Sequence, residues 1–263
     1  MTEGARAREF QGFAARLADA AGAVIRKYYR APLAVESKSD ASPVTVADRE
    51  AEHVLREAIR ATYPDHGIDG EEFPGERLDA EFVWHLDPID GTKSFVVGRP
   101  LFGTLIALAR GGRPVLGVID QCILGERWLG SAGQSSTWNG QSIRVRACAT
   151  LRDAVLGLTS PQMFSAAERA AVARLEGAVK FPVYGGDCYG YGLLAMGFID
   201  LIVEADLDGH DFMALVPVIE GAGGIVTDWR GAPLTRASAG RIVAAGDARI
   251  HESALKLLAL TND

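Results

Sequence analysis

Apolar side chains at Phe10, Phe13, Ala14, Leu17, Ala21, Val24, Ile25 and Tyr28 recur every three or four residues, the spacing of one helical face. A second amphipathic helix is expected from near Ala47, burying Ala51, Val54, Leu55, Ala58 and Ile59, until Tyr63-Pro64-Asp65-His66-Gly67 ends it with turn chemistry. The pattern then changes to short apolar runs, Phe82-Val83-Trp84, Leu101–Ala109, Pro114–Ile119 and Arg127–Leu129, punctuated by Gly111-Gly112 and Asn139-Gly140. Such runs and turns predict an antiparallel-rich sheet beside the two helices. Beyond about residue 150 strands and helices alternate. Ala154–Leu158, Ile199–Glu204, Ile225–Asp228 and Ile242–Ala245 read as strands. Ala166–Leu175, Tyr189–Met196, Asp211–Ile219 and His251–Leu260 read as helices. The expected class is α/β: an α+β N-terminal half (1–148) followed by an α/β C-terminal half (149–263) with helices on both sheet faces. No Pro/Ser-rich linker separates them, so a broad shared interface is expected.

Composition narrows the partners more than the fold. In 263 residues, 48% are hydrophobic and 23% charged, as in ordinary globular proteins. A formal net charge of −7 argues against non-specific binding to nucleic acid or anionic membranes, both of which need basic surface. It leaves room for a phosphorylated small molecule if cations reverse the local field. Cys122, Cys148 and Cys188 are scattered and suggest neither a zinc site nor a disulfide framework. The first residues lack the apolar core of a signal peptide and no apolar run is long enough to span a bilayer, so a reduced cytoplasm is the expected setting.

The densest chemistry lies in Leu86-Asp87-Pro88-Ile89-Asp90-Gly91-Thr92. Pro88 pushes Asp87 towards extended backbone, and Asp90-Gly91 offers a turn in which Gly tolerates positive φ. Asp87 is therefore expected at the end of a strand with Asp90 beside it on the turn. Two carboxylates so close repel unless a cation or proton intervenes, and hard oxygen donors suit Mg²⁺. Four other places can join them. Gly70-Glu71-Glu72 precedes the same strand, although solvated loop glutamates are the plainer account. Asp48 stands at a helix start, as does Asp211, where capping is sufficient explanation. Glu204 closes the apolar strand Leu201-Ile202-Val203, and strand carboxyl ends in α/β sheets commonly line ligand crevices.

Taken in order, Gly-Glu-Glu, then Asp-Pro-Ile-Asp-Gly-Thr sixteen residues after the first Glu, then Glu-x₆-Asp followed by Gly223-Gly224, the chain resembles the inositol monophosphatase family over almost its whole length. The resemblance implies a layered α-β-α-β-α sandwich, usually dimeric, hydrolysing phosphate monoesters with two or three Mg²⁺ ions per site. Carried over by position, one metal falls to Glu71, Asp87 and the carbonyl of Ile89, and a second to Asp87, Asp90 and Asp211. Thr92 positions the attacking water with Asp48, and the amides of Gly91 and Thr92 hold phosphate. Glu204 and the Gly185-Gly186-Asp187 turn face the organic part of the substrate. The residues themselves offer no covalent nucleophile, so direct attack by water is expected.

Two segments carry the substrate argument. Asp211–Gly224, with His210 before the aspartate where the family often has Trp, and Gly98–Leu108 are similar to the histidinol-phosphate phosphatase branch. Histidinol phosphate carries an ammonium and an imidazole, which suit Glu204, Asp187 and Asp208. Carboxylates also bind polyol hydroxyls, so inositol 1-phosphate stays open as the alternative. Bisphosphates need a second basic cluster, for which Arg99 is the main candidate. A non-enzymatic alternative, binding to RNA or a transcription complex on the same fold, is disfavoured by the acidic charge and the lack of a basic, aromatic-interleaved stretch.

Overall fold

A computed structural model describes residues 3–31, 35–37 and 43–259. Helices α1 (Glu3–Tyr28) and α2 (Val46–Thr62) form where the helical periodicity places them, α2 preceded by a small antiparallel pair, β1 (Val35–Ser37) and β2 (Pro43–Thr45). Both pack on one face of a seven-stranded sheet. Its strands run in chain order, β3 (Gly67–Gly70), β4 (Phe82–Asp90), β5 (Gly103–Arg110), β6 (Arg113–Gln121), β7 (Glu126–Ser131), β8 (Thr137–Trp138) and β9 (Gln141–Ser142). Every neighbouring pair is antiparallel except β3–β4, which is parallel.

Alternation along these strands sorts the core into layers. Trp84, Leu86, Ile106, Leu108, Leu116 and Val118 join Phe13, Leu17, Leu55 and Ile59 of α1 and α2. Leu105, Ala107, Ala109 and Ile119 point the other way, into a second core with α5 (Asp187–Ala195), α6 (Gly209–Phe212) and α7 (Leu215–Gly221). That middle layer is closed by a five-stranded sheet of order β11 (Phe181–Tyr184), β10 (Val155–Leu158), β12 (Leu201–Glu204), β14 (Ile242–Ala245), β13 (Ile225–Asp228). Its far face, through Leu156, Leu201, Val203 and Val243, packs on α4 (Ala166–Glu176) and α8 (Ala248–Leu258). The result is the expected α-β-α-β-α sandwich, with the short helix α3 (Thr92–Val96) at the end of β4.

The middle layer sits close on the first sheet at two glycines, Gly117 and Gly130. A Cβ at Gly117 would lie 2.0 Å from the Ala214 carbonyl oxygen, and one at Gly130 would lie 2.2 Å from that of Pro217. Only glycine at these two strand positions lets the α6–α7 backbone descend far enough to hang Asp211 over β4. Among the described residues no helix is long and apolar enough to cross a membrane.

Three sequence expectations need correction. The helix read over Asp211–Ile219 is two, α6 and α7, because Pro217 lies in the first turn of α7 and has no N–H to give to an earlier turn. The last helix begins at Ala248, where Asp247 accepts from the Arg249 N–H, and Leu260 lies outside the described residues. Strands β3 and β11 were not foreseen; both are sheet edges, and β11 carries Pro182, which an edge tolerates.

Candidate active site

Asp87 does not end its strand. β4 continues to Asp90, and the ladder to β5 slips in between: Asp87 opposes Leu105 while Asp90 opposes Gly103, three residues against two. In a regular strand, residues three apart point to opposite faces. The one-residue bulge restores common facing, so both aspartates look into the middle layer. Polar groups around the bulge are satisfied locally. Asp87 Oδ1 accepts the Ile89 N–H at 3.0 Å, Thr104 Oγ1 donates to the Pro88 carbonyl at 2.8 Å, and Thr92 Oγ1 donates to the Ile89 carbonyl at 3.0 Å. Gly91 follows with φ of 86° and caps α3; a Cβ there would meet Asp187 and the Leu101 carbonyl at 3.0 Å.

Asp211 arrives from the layer above. It does not open α6; that place belongs to Asp208, whose N–H donates to Asp211 Oδ2 at 2.7 Å. One carboxylate oxygen from each of Asp87, Asp90 and Asp211 lies within 4.8 Å of the other two. Glu71, just past β3, is held to β4 by its N–H to the Leu86 carbonyl at 3.1 Å, and its charge is felt by Asp48, Asp87 and Asp211. Asp48 is a helix cap and a neighbour of the site at once. Its Oδ2 accepts from Thr45 N and Oγ1 at 2.9 and 2.6 Å, closing a capping box, while the side chain is buried beside Glu71.

Electrostatically the cluster wants positive charge. Burial, then Glu71, Asp90 and Asp211, push Asp87 well above the usual carboxylate range. Burial, then Asp187 and Asp211, do the same for Asp90, although the Cys188 N–H donates to it at 2.5 Å. Asp211 is raised to about 6 by burial, with His210 pulling the other way. A concentration of hard oxygen donors whose ionised forms repel one another fits a divalent cation such as Mg²⁺.

Beside the cluster a cavity of about 400 Å³ is lined by Glu204, Asp187, Gly185, Gly186 and Thr159 among mostly apolar neighbours. Glu204 is buried, accepts from Tyr191 OH at 2.9 Å, and is raised to about 7 by burial, with the charges of Asp187 and Asp211 adding to the rise. Asp187 follows the Gly186 cap of α5 and stands at φ 43°, raised to about 6 by burial with Ser94 and Lys93 opposing. Arg99 is exposed in a surface depression with Lys93, Ser94 and Val97, next to Asp187, to which Ser94 donates at 3.4 Å. Asp208 is exposed at the α6 entry.

Sequence reasoning passed over residues behind the site. Glu52 and Arg56 are buried on the apolar stripe of α2 and reach the segment after Glu71. Their signal was a pair of charges four residues apart in phase with Ala51, Leu55 and Ile59. Tyr191 had no signal beyond its place in a helix that reads as core.

Comparisons with known proteins agree with this geometry. The model of the inositol monophosphatase family matches residues 6–261. The bifunctional phosphatase IMPL2, chloroplastic, of Arabidopsis thaliana is 50% identical over 251 residues, 92% of this chain and 72% of that protein. A histidinol-phosphatase of Chlorobaculum parvum is 37% identical over 83% of this chain and 85% of its own length. An inositol monophosphatase structure from Zymomonas mobilis superposes with a TM-score of 0.88 at 46% identity, covering 95% of this chain and 98% of the other. With its bulged strand, its carboxylate cluster and its five layers, the chain belongs to the inositol monophosphatase family.

Proposed function

We propose that the chain is a Mg²⁺-dependent phosphate monoester hydrolase whose substrate is histidinol phosphate. The observation that carries the hydrolase reading is the convergence of Asp87, Asp90 and Asp211 within 4.8 Å, produced by a bulge that has no other evident purpose. Glu71, Asp87 and the Ile89 carbonyl would hold one cation, and Asp87, Asp90 and Asp211 a second. When bound, such cations offset the phosphate charge, lower the pKa of water and stabilise the departing alkoxide.

The protein's own groups orient the reaction. Thr92 Oγ1 and the Asp48 oxygen not used by Thr45 direct a water at phosphorus, while the amides of Gly91 and Thr92 hold the phosphoryl oxygens. A new bond forms from water oxygen to phosphorus as the ester P–O bond breaks on the opposite side; of the two water protons one stays on the phosphate product and the other ends on the histidinol oxygen. Glu204 and Asp187, in the adjoining cavity, pair with the cationic end of the substrate. The name of the Chlorobaculum relative, a histidinol-phosphatase, favours this substrate class; the Zymomonas structure favours inositol phosphates, whose hydroxyls the same carboxylates also suit. Parallel kcat/KM measurements on histidinol phosphate and inositol 1-phosphate decide between them. A preference of at least tenfold for histidinol phosphate is expected, and the reverse preference would overturn the assignment.

A further inference from the structure

Glu71 has to be held at the cluster by the chain on both sides of it. Upstream, the β3–β4 ladder does so. Downstream, residues 72–75 form no strand or helix before Glu76 bridges back to Ile68 of β3, yet their backbone is taken up by two buried charges from α2. Glu52 Oε2 accepts the Glu72 N–H at 2.7 Å, and Glu52 Oε1 accepts from Arg56 Nε at 2.7 Å. Arg56 then donates through Nη2 to the Phe73 carbonyl at 2.7 Å and through Nη1 to the Pro74 carbonyl at 3.1 Å and Glu76 Oε1 at 2.9 Å. Glu52 is 0% and Arg56 2% exposed. The carboxylate lies so close under the chain that a Cβ at Gly70 would come within 2.1 Å of Glu52 Oε1.

Burying an ion pair is a weak source of stability, because desolvation consumes most of the attraction. This pair, however, spends its hydrogen bonds on the loop that follows Glu71. We propose that Glu52 and Arg56 are positioning residues for Glu71, pre-forming that ligand and so setting the affinity of the site for its divalent cation. The proposal rests on the metal-dependent reading above. Asp48, one turn earlier on the same helix, feels the charge of Glu71, so α2 meets the site through Asp48 and the supporting loop through Glu52 and Arg56.

The test is Mn²⁺ binding to chelator-treated protein, read without substrate from the electron paramagnetic resonance signal of free Mn²⁺, in wild type, Glu52→Gln and Arg56→Lys. Groups behind a metal ligand typically change affinity by about 10–100-fold when altered. Glu52→Gln, which keeps the shape, is expected to weaken at least one equivalent of Mn²⁺ about tenfold. Arg56→Lys, which cannot fork between two carbonyls and a carboxylate, is expected to do at least as much. At saturating metal kcat should recover to within about threefold in both. Unchanged Mn²⁺ affinity alongside a lowered Tm would reduce the pair to a structural role and overturn the proposal. Should neither variant fold, Glu76→Gln, which weakens the outer anchor that Arg56 shares with Arg60 and leaves its bonds to Glu52, Phe73 and Pro74, is expected to weaken Mn²⁺ about threefold, and no change there would overturn it equally. Absence of Mn²⁺ binding by wild type would instead sink the metal reading itself.

Discussion

Replacing Asp211 with Asn in the metal-free protein isolates the electrostatic cost of assembling the cluster. The substitution nearly preserves shape, and the amide oxygen still accepts the Asp208 N–H that Asp211 Oδ2 receives at 2.7 Å. What disappears is a charge whose carboxyl is raised from 3.8 to about 6 on folding. Roughly two pH units at about 1.4 kcal/mol each give about 3 kcal/mol. Solvent reaching the 21% of the side chain that is exposed lowers this to about 1–3 kcal/mol. The sign follows from proton counting. Below the unfolded value near 3.8 the carboxyl is protonated in both states and contributes no difference. Between there and about 6 the folded state binds more protons, so wild-type stability falls as pH rises, and above about 6 the deficit from this carboxyl alone is constant. Buried His66 and His251 titrate on folding as well, but identically in both proteins, and cancel. Urea unfolding in chelator, from pH 4 to 7.5, should show Asp211→Asn gaining on wild type as pH rises through about 6, with the gain continuing towards pH 7.5 because the Asp211 charge also raises Asp87, Asp90 and Glu204. Saturating Mg²⁺ should restore wild type far more than the variant. Parallel pH–stability curves would refute the reasoning.

Asp90→Asn should lower kcat at least about a hundredfold at saturating Mg²⁺ while the fold persists, since clamps on developing charge are worth several kcal/mol; steady-state phosphate release checks it. Gly117→Ala forces a Cβ to within 2.0 Å of the Ala214 carbonyl and should cost about 1–3 kcal/mol in urea unfolding, with weaker metal binding because α6 is lifted off β4. Glu204, raised to about 7, ionises only as pH passes that value, so kcat/KM for histidinol phosphate should climb through that range relative to phenyl phosphate. Glu204→Gln should flatten that rise and cost the cationic substrate about 1.5–3 kcal/mol, with equal losses on both substrates placing Glu204 in the catalytic machinery instead.

Much of this was legible where local chemistry and tertiary placement agree. Strands β13 and β14 match their apolar runs to the residue, and α1 and α2 follow the helical stripe that buries Phe13, Leu17, Leu55 and Ile59. The layered sandwich and the family were readable from Asp87 to Gly91 with the Glu204-x₆-Asp211 spacing. The bulge between Asp87 and Asp90 was not, because Pro88 marks a local break without saying whether the ladder resumes beyond it. Asp208 and Asp211 are both standard helix-start residues, and which of them caps α6 depends on how low the chain sits over β6, set by Gly117. Glu52 and Arg56 were passed over, because only the arrival of the loop after Glu71 makes burial of two charges on a helix tolerable. Edge strands β3 and β11 escaped because glycine and proline dilute their apolar signal.

The central claim is that the carboxylates gathered by the bulged strand work only when loaded with divalent cation. The most direct test is phosphate release from histidinol phosphate by rigorously chelated protein, titrated with Mg²⁺ in wild type and in Asp87→Asn. The account predicts no turnover in the stripped protein, full recovery with Mg²⁺ in wild type, and at least about a hundredfold lower activity in Asp87→Asn at any Mg²⁺ concentration. Undiminished turnover by the stripped protein, or a fully active Asp87→Asn, would contradict it.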